Sequence, residues 1–123
     1  MSGDEPAEQN RAAAKELGTE TAQEKNSFPA LASVEFEVFG QVQGCYFTKY
    51  CKEIAEQLGV GGWVKNSKKG TIVGKIQGNK AQLDHMIDWL STVGSPGSKI
   101  EKCELTNWEY LARLDYNNFS IRF

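Results

Sequence analysis

Clustered metal ligands are what this sequence most lacks. It holds one histidine, His85, and three cysteines, Cys45, Cys51 and Cys103, with no C-x-x-C pair among them. Structural zinc draws four ligands from closely spaced Cys and His, so this inventory nearly excludes it. The odd cysteine count supplies no disulfide framework, and Cys51 and Cys103 are expected to serve as small apolar core residues. Cys45 is placed where a helix start would acidify an exposed thiol, yet no His or second Cys stands nearby in sequence to support redox chemistry. Also absent is any apolar run near the ~20 residues needed to cross a bilayer. The opening "MSGDEPAEQN" has neither the hydrophobic stretch of a secretory signal nor the arginines of a transit peptide, so a cytoplasmic protein without a membrane partner is expected. Charge of one sign is scarce too. The net −2 divides into −3 over residues 1–32, with six acids and three bases, and +1 over residues 33–123, with ten acids and eleven bases. A nearly neutral domain does not recruit partners through bulk charge.

What is present reads as one domain behind a polar leader. Residues 1–32 are rich in Ala, Glu, Gln and Ser and almost devoid of large apolar side chains before Phe28, which predicts a disordered tail of unknown partner. Within it, "RAAAKELG" has enough helix propensity for transient structure only. From Val34, "VEFEVFG" alternates Val34, Phe36 and Val38 with Glu35 and Glu37, the pattern of a half-buried strand. "FTKYCKEIAEQLG" sets Phe47, Tyr50, Cys51, Ile54, Ala55 and Leu58 on one helical stripe that Gly59 ends. "GWVKN" and "GTIVGKIQG" form a hairpin across "SKKG". A second helix follows in "NKAQLDHMIDWLSTVG", opened by an Asn79/Gln82 capping box and buried along Leu83, Met86, Ile87, Leu90 and Val93, with His85 off the stripe. Lys99 to Trp108 is a strand with irregular alternation, and "FSIRF" closes the chain with Phe119, Ile121 and Phe123 on one face. The order βαββαβ plus a C-terminal strand predicts an α+β fold. It is a ferredoxin-like open-faced sandwich, an antiparallel sheet carrying both helices on one face.

The loop "GQVQGCY" joins the first strand to the first helix. Its backbone N–H groups, with those left free at the helix start, can converge on one point and make it an anion site. Gly40 and Gly44 could equally just allow a tight strand-to-helix turn. The adjoining turn "KNSKKG" brings an amide side chain and lysines from the hairpin, although Asn66 before Ser-Lys-Lys-Gly could simply bond its own backbone.

"VEFEVFGQVQGCYF", "GVGGWVKNSKKGTIVGKIQG", "WLSTVGSPGSKI" and "LDYNNFSIRF" together resemble the acylphosphatase family, in that family's order, from about Ser33 to Phe123. The resemblance implies hydrolysis of the carboxyl–phosphate bond of small acyl phosphates, without metal or organic cofactor; a monomer is expected. It implies that Gln41, Val42, Gln43, Gly44 and Cys45 cradle the phosphate with backbone N–H groups and that Asn66 orients the attacking water. The family's phosphate-gripping arginine falls on Thr48. A threonine hydroxyl is one neutral donor on a short stem, whereas guanidinium offers two parallel charge-assisted bonds, so reduced activity is expected. Lys52, one turn on along the same face, is the candidate substitute cation, and Lys65, Lys68 and Lys69 are placed to raise local anion concentration. The alternative is a catalytically inactive module that binds a phosphate-like anion or a protein. Nucleic acid is disfavoured, because "GTIVGKIQG" has no aromatic pair on which bases could stack.

Overall fold

Alternating apolar residues fold as the period-two pattern dictates, in a computed structural model that describes residues 30–123. The tail reading for residues 1–29 lies outside the described residues. Strand β1 spans Leu31–Gln41, taking in Leu31 and Ala32, which composition alone assigns to the tail. Val34, Phe36 and Val38 are buried in the core. Helix α1, Phe47–Leu58, ends at Gly59, whose φ of 78° is cheap only for glycine. There the Val60 N–H reaches back to the Ala55 carbonyl at 2.8 Å and closes a Schellman-type cap. Tyr50 sits at the margin of the helical stripe and is 37 % exposed.

Strands β2, Gly61–Asn66, and β3, Ile72–Asn79, form the expected hairpin. Helix α2, Lys80–Asp88, begins in the predicted capping box: the Gln82 N–H donates to Asn79 Oδ1 at 2.8 Å and the Asn79 N–H to Gln82 Oε1 at 2.9 Å. Gln82 Nε2 also donates to the Leu58 carbonyl at 3.0 Å, which ties the end of α1 to the start of α2.

The last turn corrects one expectation. Residues Trp89–Val93 form a π turn, closed by the Gly94 N–H on the Trp89 carbonyl at 2.9 Å. The wider turn rotates the helical frame, so Trp89 and Leu90 are buried while Val93, assigned to the buried stripe by a 3.6-residue period, is 57 % exposed.

Strand β4, Lys99–Leu111, runs past Trp108 and is bulged twice against β1. One bulge explains the irregular alternation: Phe39 pairs with Lys102 and Gly40 with Ile100, which leaves Glu101 as the extra residue. Gly40 is required there, because a Cβ would lie 2.0 Å from the Lys99 carbonyl oxygen. Strand β5 is short, Phe119–Ile121, and Phe123 beyond it is fully exposed, so the proposed shared face ends at Ile121.

The sheet order is β4-β1-β3-β2-β5. All pairings are antiparallel except β2 with β5, which is parallel, so the sheet is mixed where an antiparallel one was expected. Helix α1 packs on β2 and β5 and α2 on β3. Phe47, Cys51 and Ala55 from α1 join Leu83, Met86 and Leu90 in one core among the described residues. Gln77, fully buried in β3, bonds Ser33 Oγ and Asp115 Oδ2 and accepts from the Asp115 N–H, and so clamps the β4–β5 connector to the sheet. Cys51 is buried, and burial pushes its thiol pKa up, whereas Cys103 is only half-buried. No helix among the described residues is long and apolar enough to cross a membrane.

Candidate active site

The register brings the site elements to one end of the sheet. Asn66, the last residue of β2, pairs with Ile72, and Ile72 pairs with Val38 shortly before β1 gives way to its loop. With β3 between them, the ends of β1 and β2 stand two strand spacings apart, about 10 Å.

Three contacts fix the loop over this gap. Val42 is buried in the core and anchors the loop's first turn. The Gln43 amide crosses to the hairpin, donating to the Ser67 carbonyl at 2.8 Å and the Thr71 carbonyl at 2.9 Å. Cys45, half-buried, accepts a hydrogen bond on Sγ from the buried Ser95 hydroxyl at 3.4 Å. Gly44 has a φ of 79° and Tyr46 a φ of 58°, two left-handed residues close together that turn the chain into α1. For a tyrosine this conformation is strained by about 1 kcal/mol or more. Helix α1 then opens with no side-chain cap and no acidic residue in its first turn, so its leading N–H groups are left for another acceptor.

Between loop and hairpin lies an open cleft of about 320 Å³ lined by Gly44, Tyr46, Phe47, Thr48 and Asn66. Phe47 is its apolar floor and packs against Trp89 with ring centroids 5.1 Å apart. Of the residues assigned to the site from sequence, Gly44, Thr48 and Asn66 meet at this cleft. Gln41 does not line it and remains in the ladder opposite Lys99, and Val42 points into the core. The Gln43 side chain is committed to the hairpin. Turn formation, the alternative role for Asn66, falls to its neighbour: Ser67 Oγ accepts the N–H groups of Lys69 at 3.2 Å and Thr71 at 3.1 Å. The Asn66 amide makes no hydrogen bond among the described residues and borders the cleft.

Lys52 does not reach back as the substitute cation. Its Nζ is paired with Glu56 Oε2 at 2.9 Å, one turn further along α1, and it does not line the cleft. Lys69 is likewise engaged, with Glu37 Oε2 at 3.2 Å, while Lys65 and Lys68 are exposed on the hairpin. Two contributors escaped the sequence reading. Tyr46 gave no sign that a non-glycine would take the left-handed position at the helix start. The tether made by Gln43 links residues far apart in sequence, and no local pattern announces it.

The profile of the family described as acylphosphatase matches residues 34–121. This chain belongs to the acylphosphatase family. It is 47 % identical over 94 residues to human Acylphosphatase-2, covering 76 % of this chain and 95 % of that protein. It is also 47 % identical over 93 residues to Acylphosphatase-2 of Cavia porcellus, covering 76 % and 94 %. Among solved structures it resembles an acylphosphatase from Coxiella burnetii, with TM-score 0.66 and 29 % identity over 76 % of this chain and 94 % of the other. The acylphosphatase from Bacillus subtilis superposes with TM-score 0.67 and 27 % identity over 75 % and 99 %. Acylphosphatase sequences thus match the folded domain, and the site elements lie within the matched stretch.

Proposed function

We propose that this cleft binds the phosphoryl group of an acyl phosphate and directs water onto it, giving carboxylate and phosphate, at a rate limited by Thr48. The observation that carries the reading is the meeting of Thr48 and Asn66 beside Gly44 and the uncapped start of α1 in a single cleft. The loop and helix N–H groups hold the phosphoryl oxygens. Asn66, at the far lip, orients a water in line with the bond to the carboxyl oxygen. As the water oxygen bonds to phosphorus, the phosphorus–oxygen bond to the acyl group breaks and the carboxylate leaves with the electron pair. The water's proton passes to the phosphate product or to solvent. A carboxylate is a good leaving group, so the protein's task is positioning and charge stabilisation and not acid catalysis.

That task is where threonine falls short. Removing one preorganised donor costs roughly 3–4 kcal/mol, or about 10³ in rate, and losing a full positive charge adds to this. Hydrolysis of benzoyl phosphate by the native chain and by Thr48→Arg tests the assignment. The variant is expected to gain about 10³ or more in kcat/KM. No gain would remove Thr48 from the phosphate site.

The pairing of Lys52 with Glu56 favours a second reading, a phosphate-binding module without turnover, because no side-chain cation among the described residues lines the cleft. Calorimetric titration with phosphate that shows binding, alongside an assay that shows no hydrolysis, would select it.

A further inference from the structure

Among the described residues, those that line the cleft are all uncharged: Gly44, Tyr46, Phe47, Thr48 and Asn66. Lys52 and Lys69 are held by Glu56 and Glu37. Lys49, Lys65 and Lys68 are exposed and stand outside the lining. A bound oxyanion therefore meets main-chain N–H groups, two hydroxyls and an amide, which are fixed dipoles and not ions.

Dipoles and ions discriminate differently between charge states of a ligand. Withdrawing an anion from water costs in proportion to the square of its charge, while attraction to fixed dipoles grows only in direct proportion. Passing from one negative charge to two thus quadruples the cost and doubles the return. A guanidinium at position 48 would supply a full charge and offset the difference for a dianion; threonine cannot. We infer that the cleft selects singly charged phosphoryl groups, those of phosphodiesters and dihydrogen phosphate, over the doubly charged phosphoryl group. This rests on the cleft being the anion site proposed above. Lys49 and Lys65 adjoin cleft residues in sequence but are exposed, and a charge left in water adds little to binding.

The test is calorimetric titration of the full chain with three probes at about pH 6 and about pH 8, in ~0.15 M salt. Inorganic phosphate passes from one charge toward two across this interval. Dimethyl phosphate keeps one charge and sulfate keeps two. These constant-charge probes correct for titration of the groups around the cleft, namely Cys45 and Tyr46 in the loop and Glu53 on α1 with the lysines named above. Phosphate is expected to bind roughly five- to tenfold tighter at the lower pH, with dimethyl phosphate unchanged and sulfate weakest throughout. Thr48→Arg should reverse the order and favour sulfate and dianionic phosphate. Wild-type protein that binds sulfate, or phosphate at the higher pH, as tightly as the singly charged forms overturns the charge preference alone. Absence of binding by all three anions to both proteins overturns the site as well.

Discussion

Replacing Gln43 with methionine isolates what holds the anion loop in shape. Methionine keeps the length and volume of the side chain but has no donor, so both bonds across the gap, to the Ser67 and Thr71 carbonyls, are lost. The Ser67 bond is exposed, and water replaces it. The Thr71 bond is partly buried, and its carbonyl recovers less. At about 1 kcal/mol net per bond, with an added penalty for the poorly solvated acceptor, the variant should lose roughly 1–2 kcal/mol of stability. The effect on the site is the more telling one. Once untethered, the loop can relax the strained left-handed Tyr46, and the N–H groups around Gly44 must be re-ordered when an anion binds. Ordering costs of this kind weaken affinity by about 1 kcal/mol, or roughly fivefold. Urea unfolding gives the first quantity and phosphate titration of the folded variant gives the second. A Gln43→Met protein that is less stable yet binds phosphate as well as the native chain would refute the idea that this tether shapes the site.

Two further outcomes are expected. The Glu37 carboxyl is held below its ordinary 4.5, first by the Thr71 hydroxyl at 2.6 Å and, against partial desolvation, by Lys69. A depressed carboxylate stabilises the fold above its unfolded pKa and loses that contribution as pH falls through the folded value. The native chain should therefore lose stability more steeply than Glu37→Gln on acidification below about pH 4.5, by under ~1 kcal/mol, in acid-limb denaturation curves. Lys52→Ala removes an exposed pair of about 0.3–0.5 kcal/mol, so benzoyl phosphate hydrolysis should change by less than ~2-fold, and a collapse in rate would restore Lys52 to the cleft.

Local chemistry was legible and long-range chemistry was not. The limits of α1, its glycine stop and the Asn79/Gln82 box could be read because each depends on residues within one turn of each other. The extra residue in β4 was visible as broken alternation between Ile100 and Cys103. By contrast, the parallel pairing of β5 with β2 joins segments more than fifty residues apart, and the π turn departs from a period that the sequence satisfies either way. At the site, Thr48 and Asn66 were placed by family resemblance, since neither residue type is distinctive alone. The engagement of Lys52 with Glu56 is an ordinary spacing on a helix, but it competes with a reach toward the loop that only coordinates can weigh. Ser67 took over the turn because its hydroxyl, not the amide of Asn66, lies where two N–H groups converge.

The contact between Phe47 and Trp89 has an optical consequence. Phe47 forms the floor of the cleft, and the indole it touches is almost fully buried. The other two tryptophans are elsewhere, Trp63 beneath the Arg122 guanidinium on the open sheet face and Trp108 exposed on the outer strand. The domain thus has a built-in fluorophore in contact with the floor of the proposed anion cleft, so that occupancy of the cleft should be readable as a change in emission from the interior, with no label attached.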